Sequence, residues 1–293
     1  MHAHEVATDA ALVRRLLAAQ FPDWAYLPIA RVPSAGTDNA IYRLGDDMAV
    51  RLPRVESATG QVEREHRWLP RLAPHLPLAI PTPLAMGTPG EGYPWRWSVY
   101  RWLEGENATA ARLDLGHAAT DLAEFIAALQ LIDTAGAPRA GVESSRGVPL
   151  AARDAPTRAA IAALHGVLDS DAVTARWEEA LRAPVWTGPG VWLHGDLNEG
   201  NLLALHGRLS AVIDFGVMGV GDPACDLMVA WTLLTPTARA VFRAALPFDD
   251  AAWTRGRGWA LSWALIVLPY YQHTNRELCR IAEYTLREVL STS

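Results

Sequence analysis

A chain of 293 residues, half of them hydrophobic and 20% charged, is long enough to bury a large core as one big domain or as two lobes. The formal net charge of −6 argues against a nucleic-acid partner, which demands a basic face, and is compatible with a cationic substrate without indicating one. Every one of the 26 basic residues is arginine. The two cysteines, Cys225 and Cys279, sit in no metal-type spacing and read as reduced, buried thiols. The N-terminal stretch has no apolar segment of signal-peptide length, and the longest apolar run, 259–271, is too short for a bilayer. The expectation is a cytoplasmic protein with no membrane partner.

Leu12, Val13, Leu16 and Leu17 recur at helical spacing within 9–20, and Phe21-Pro22 ends that helix. Three short apolar runs follow, 29–32, 40–44 and 48–52, separated by Gly and Asp turns, and they predict antiparallel strands. A helix over about 57–68 places Val62, Glu65 and Leu69 on one face. A carboxylate on that inward stripe needs a partner, because an unpaired buried charge is costly. Arg51, in the strand MAVRL, is the candidate; the alternative is an exposed glutamate in a charge run. Pro70, Pro74 and Pro77 are expected to break the helix into turns. Two last strands lie in PLAMG and WRWSVYRWL, where Trp95, Trp97 and Trp102 read as packing.

After Glu104-Gly105 the composition turns helical. Leu115, Ala118, Leu122, Phe125, Ile126, Leu129 and Ile132 form the wide stripe of a long core helix. A Gly-, Ala- and Pro-rich loop over 133–147 leads to helical segments near 150–168 and 171–182, whose acids Asp169, Asp171, Glu178 and Glu179 read as a solvated face. Then come a short strand at 191–193, a loop, and a hairpin turning at His206-Gly207-Arg208. Asp222 before Pro223 reads as a helix N-cap. Helices near 236–246, 250–268 and 275–290 complete the chain, with core packing accounting for most of their aromatics.

Three side chains around the hairpin stand where phosphoryl transfer to a hydroxyl would need them: Asp196, Asn201 and Asp214. That reaction asks for a carboxylate to orient the hydroxyl and accept its proton, and for oxygen ligands to hold Mg²⁺ against a triphosphate. HGDLNEGN (194–201) resembles the catalytic loop of the aminoglycoside phosphotransferase family and its kinase-like relatives. IDFG resembles their metal-binding segment, and GDPACDL the helix start that follows it. The resemblance covers most of the chain and is strongest over 191–231. It implies an α+β, bilobal protein-kinase-like fold. A small antiparallel-sheet lobe with one helix, 1–103, would bind nucleotide and end in a hinge. A larger, mainly helical lobe, 104–293, would carry the catalytic loop and the acceptor site.

The same resemblance implies Asp196 as catalytic base, Asn201 and Asp214 as Mg²⁺ ligands, ATP or GTP as phosphoryl donor, and His194 and Asp226 as supports of the loop. In the nucleotide lobe it implies main chain near Ser34, Gly36 and Thr37 over the phosphates, Arg51 with Glu65 as the phosphate clamp, and the main chain of Arg101 and Leu103 at the adenine. Arg51 departs from the pattern, which has a lysine there; its planar fork nonetheless suits phosphate oxygens. Glu199, Tyr270, His273 and Glu277 are the candidates to line the acceptor pocket. Only a short loop separates Gly216 from Asp222, with no room for a segment that docks a peptide, so the expected acceptor is a small molecule. An antibiotic is favoured, aminoglycoside first and macrolide second. A metabolite kinase acting on choline, homoserine or a sugar derivative is the enzymatic rival, and a ligand-binding pseudokinase the rival of another class.

Overall fold

In the computed structural model, residues 5–33, 38–142 and 144–291 are described. The chain forms two compact units, one of Met1–Pro74, Ala79–Gly105 and Ala211–Gly216, the other of His75–Leu78, Glu106–Ser210 and Val217–Ser293. The first contains α1 (Ala10–Gln20), β1 (Ile29–Arg31), β2 (Asn39–Leu44), β3 (Met48–Pro53), α2 (Thr59–Leu72), β4 (Pro83–Gly87) and β5 (Trp97–Arg101). The strands make one antiparallel sheet in the order β1-β2-β3-β5-β4.

Strand alternation sorts the side chains of this sheet onto two faces. Tyr42, Leu44, Val50, Leu52, Trp97 and Val99 bury one face in a core shared with Leu12, Val13, Leu16 and Leu17 of α1. Asp9 caps that helix, its carboxylate accepting from the Leu12 N–H at 2.7 Å. The intervening positions Arg51, Ser98 and Tyr100 reach the helix α2 instead, through Glu65 and His66. Pro70 does not end α2, which runs on to Leu72. It sits in the last turn, where a proline removes only one intrahelical bond. Burial of Trp68, Leu69 and Leu72 holds that turn, and Ala73 N–H still reaches the Leu69 carbonyl.

The second unit contains β6 (Glu106–Asn107), α3 (Leu115–Leu131), α4 (Asp154–Ala163), α5 (Ser170–Arg182), β7 (Val191–Leu193), β8 (Leu202–Leu205), β9 (Arg208–Val212), β10 (Gly219–Gly221), α6 (Val229–Thr232), α7 (Pro236–Ala244), α8 (Asp250–Tyr271) and α9 (Arg276–Ser291). Small sheets β6-β8-β9 and β7-β10 frame the loops, and the last residues of β9 pass into the first unit, where Val212 N–H donates to the Ala79 carbonyl at 2.9 Å. The helix α8 is the spine of this unit. Every residue from Trp259 to Leu265 is buried, and α4, α5 and α9 pack against it. Its apolar run is thus a core helix, and among the described residues no helix is long and apolar enough to cross a membrane.

Candidate active site

In the second unit β7 delivers the chain into the loop 194–201. Gly195 has φ +84°, and a Cβ there would lie 2.8 Å from the Arg146 side chain and 3.1 Å from the Val217 carbonyl, so only glycine fits. The buried Asp226 carboxylate accepts from the His194 N–H at 2.8 Å and the Gly195 N–H at 2.7 Å. Burial pushes the Asp226 carboxyl up, against the downward pull of His194 and of those two amides. His194 is fully buried, and its Nδ1 accepts from the Asp196 N–H at 3.2 Å. The histidine and Asp226 therefore shape the loop.

Asp196 projects from that scaffold with both carboxylate oxygens engaged. Oδ1 accepts from Arg146 Nη2 at 2.9 Å; Oδ2 accepts from Asn201 Nδ2 at 3.0 Å and from Asn198 Nδ2 at 3.3 Å. The two amides also donate to the Asp196 carbonyl, at 2.8 and 2.9 Å. Asn198 caps the following turn through its own oxygen, which accepts from Gly200 N–H. Turning its Nδ2 to Asp196 leaves Asn201 with Oδ1 as the atom that can ligate. Neither Arg146 nor Asn198 was flagged by the sequence. Arg146 lies in a loop without periodicity, and Asn198 occupies a variable position of the motif.

In the first unit the polar face of the sheet gathers Arg51, Glu65, Gln61 and Asp214. Arg51 Nη1 donates to both Glu65 oxygens at 2.6 Å, and Nη2 to Gln61 Oε1 at 2.8 Å and Asp214 Oδ1 at 3.2 Å. With its amide oriented to suit its neighbours, Asn39 also accepts from Nη2, at 2.9 Å. Glu65 is 1% exposed and takes a further hydrogen bond from the Tyr100 hydroxyl, whose pKa is pushed up by burial and then by the Glu65 charge. Burial alone would push the Arg51 guanidinium down; the charges of Glu65 and Asp214 outweigh it, and the net direction is up. Asp214 adopts φ +62°, a conformation Asp tolerates better than most residues, and about half of its side chain is exposed. Glu63, on the other side of α2, pairs with Arg96 on the surface.

Glu199 and Glu277 are joined by Arg280, which donates to both. Burial pushes the Glu199 carboxyl up against the pull of Arg280, whereas hydrogen bonding to Arg280 holds Glu277 down. Tyr270 is exposed and stacks edge-on against Tyr271, and His273 is exposed in the turn after α8. Arg101 ends β5 with its N–H donating to the Thr82 carbonyl, which leaves that amide unfree for a base. Ser34, Gly36 and Thr37 lie outside the described residues. Among those described, no three His, Cys, Asp or Glu side chains gather as a metal site. The Asp214 carboxylate and the Asn201 amide oxygen are each hard oxygen donors of the kind Mg²⁺ takes when phosphates and water complete its shell.

The fold is that of a kinase-like phosphotransferase. The GDP and kanamycin complex of APH(2″)-IIIa is similar with a TM-score of 0.75 at 20% identity, covering 94% of this chain and 98% of that one. The streptomycin–ATP–APH(2″)-IIa ternary complex gives 0.62 at 20% identity, covering 98% of each. The macrolide 2′-phosphotransferase MphH from Brachybacterium faecium, an apoenzyme, gives 0.61 at 25% identity, covering 95% and 98%. No curated protein matches the sequence. The chain belongs to the phosphotransferase enzyme family, whose profile matches residues 29–259 and so takes in Arg51, Asp196 and Asp214 alike. It is a phosphotransferase with an alcohol group as acceptor.

Proposed function

We propose that the protein transfers the γ-phosphoryl group of ATP or GTP to a hydroxyl of a small antibiotic-type molecule in the cytoplasm. The observation that carries this reading is the Asp196 carboxylate, 24% exposed and held by Asn201 from the same loop, as a positioned base requires. Asp196 orients the acceptor hydroxyl and takes its proton as the phosphorus–oxygen bond forms. Arg51, fixed by Glu65, grips the non-transferred phosphates, and the sheet unit is the nucleotide side of the reaction. Asn201 Oδ1 and Asp214 would hold Mg²⁺, which when bound neutralises charge on the phosphate oxygens. Support for the donor comes from the neighbours named in complex with GDP, ADP and ATP.

The helical unit is the acceptor side. The neighbours' aminoglycosides and macrolides make an antibiotic the leading class. A polycationic aminoglycoside asks for several convergent free carboxylates, and Glu199 and Glu277 already share Arg280. That observation favours an acceptor of lower positive charge. The test incubates purified protein and Mg²⁺ with ATP or GTP against aminoglycosides, macrolides, peptide antibiotics and hydroxy metabolites, and weighs the products. A mass gain of one phosphoryl group on any hydroxyl compound is expected; nucleotide left intact with every acceptor would overturn the reading.

A further inference from the structure

One nitrogen of the Arg51 guanidinium faces more acceptors than it has hydrogens. Nη1 directs its two N–H at the Glu65 carboxylate, 2.6 Å from each oxygen. Nη2 also has two N–H, yet three oxygens surround it: Gln61 Oε1 at 2.8 Å, Asn39 Oδ1 at 2.9 Å with the amide oriented as above, and Asp214 Oδ1 at 3.2 Å. The neutral amide oxygens are the near pair and the carboxylate is the far one, although a charged acceptor ordinarily makes the shorter bond. Asn39 takes the Nε–H too, at 3.3 Å. Every N–H of Arg51 thus keeps an acceptor when Asp214 is taken out of the count.

The local structure explains how both amides reach Arg51. Ile41 of β2 stands opposite Arg51 of β3, so Asn39, two residues before it, shares the face of the sheet on which Arg51 lies. Gln61 precedes Glu65 by one turn of α2, which sets the two side chains next to each other on that helix. Gly216 makes room for Gln61. A Cβ there would lie 2.6 Å from Gln61 Cδ and 2.7 Å from its Oε1, so a side chain at 216 would push that oxygen off Arg51. The segment that carries Asp214 has its own tie to α2, since Arg64 Nη1 donates to the Gly216 carbonyl at 2.8 Å. The backbone is therefore fastened whether or not the Asp214 side chain, about half exposed, stays on Arg51.

We propose that Gln61 and Asn39 are positioning residues that hold Arg51 independently of Asp214, so that the Asp214 carboxylate passes from the guanidinium to the Mg²⁺ of an arriving nucleotide while Arg51 stays in place for the phosphates. This rests on the phosphotransferase reading and deepens its nucleotide side. The exchange gives up one hydrogen bond, from Nη2 to Asp214, for one coordinate bond from Asp214 to the metal ion, and leaves no N–H of Arg51 orphaned. A guanidinium permits it because its nitrogens diverge: one keeps Glu65 while the other drops the farthest of its three acceptors. Neither amide needs to touch the nucleotide; each acts through Arg51.

The test measures, by calorimetry on the whole protein, the affinity for a non-hydrolysable triphosphate analogue in EDTA and again in saturating Mg²⁺. Mg²⁺ should raise the parent's affinity; no gain would overturn the proposal. Gln61→Met keeps the length of the side chain against Gly216 and removes the acceptor, so that Nη2 comes to need Asp214. The gain from Mg²⁺ should then shrink at least about fivefold, the effect of one hydrogen bond to a charged group, while the affinity in EDTA stays within about twofold. Gln61→Glu restores an acceptor and should restore the gain. Asn39→Leu should act as Gln61→Met does, and a parent-like gain there would remove Asn39 from the role. A folded Gln61→Met with the parent's gain would overturn the proposal. So would an equal loss in both media, which would tie Gln61 to the grip of Arg51 on phosphate and not to the release of Asp214. A second measurement needs no ligand: Asp214→Ala is made in the parent and in Gln61→Met, and melting temperatures are compared. The backbone cost of alanine at φ +62° enters both backgrounds and cancels. The drop should be larger by about 2 °C or more with Gln61→Met, where an Nη2 hydrogen loses its acceptor, and equal drops would sink the idea. No binding of the analogue to the parent in either medium would count against the phosphotransferase reading itself, and the melts alone would then decide whether the amides hold Arg51.

Discussion

In the first unit one guanidinium, Arg51, is shared by two carboxylates, Glu65 and Asp214; in the second, one carboxylate, Asp196, is held by one guanidinium, Arg146, and by the amides of Asn198 and Asn201. The two arrangements differ in their balance of charge. Around Arg51 the excess is negative and partly exposed at Asp214, which suits a divalent cation brought with a triphosphate. Around Asp196 one guanidinium matches the one carboxylate, and neutral amides complete its hydrogen bonds. A chain without lysine builds both from the same fork-shaped side chain. Arg51 can touch Glu65, Gln61 and Asp214 at once because its donors diverge in a plane, as three rotating ammonium protons would not.

The comparison breaks most severely at Glu65. Glu65→Gln leaves Arg51 largely buried with half of its counter-charge gone, and loss of one partner of such a pair costs about 3–5 kcal/mol. The expected outcome is a lower urea midpoint together with a raised nucleotide KM; a variant as stable as its parent would show that Asp214 and Gln61 suffice to hold Arg51. Asp196→Asn is next, with turnover expected to fall by roughly 10²-fold or more if the carboxylate takes the proton. Steady-state kinetics measure it, and retained kcat would place the base elsewhere. Asp226→Asn is smaller. An amide offers only one oxygen to two N–H donors, so about 1–3 kcal/mol of loop stabilisation should be lost. Melting temperature should drop and kcat with it; a loss of kcat alone would make Asp226 more than a support.

Those sites differ in how far the sequence could disclose them. The contact of Asn201 with Asp196 was legible because it is written at short range, within one loop. Glu65 was legible for another reason: an acid on the apolar stripe of a helix has to meet a cation, and Arg51 stood at the matching strand position. Arg146 was not, since it comes from a Gly- and Pro-rich loop 50 residues before the carboxylate it holds. No period marks such a residue, and only the folded loop, with Gly195 and Gly147 lacking side chains, brings it in. Pro70 misled because a proline's cost depends on its place in a helix, and the last turn of α2 is buried. Tyr270 and His273 show the limit from the other side: their residue types suit a pocket, but their position at an exposed helix end gives no reason to seat them in one.

The finest probe of the contrast is His66, beside Glu65 on α2. Its Nε2 lies 3.0 Å from Ser98 Oγ, and burial lowers its pKa from the ordinary 6.5, against the opposing pull of Glu65 and Glu63. The folded state therefore prefers the neutral ring, and the unfolded chain binds more protons between the two pKa values. Stability from this group is complete above about 6.5 and is lost as pH falls towards the folded pKa. His66→Gln keeps a polar side chain near Ser98 without the titration, so its melting curve should gain on the parent's below that pH and run parallel above it. The same experiment reads the charge of its neighbour. In a Glu65→Gln background the pull that raises His66 is gone, its folded pKa drops further, and the acid loss should deepen. If removing Glu65 leaves the His66 window where it was, Glu65 is not an anion in the folded protein, and the excess negative charge assigned to the Arg51 group is absent.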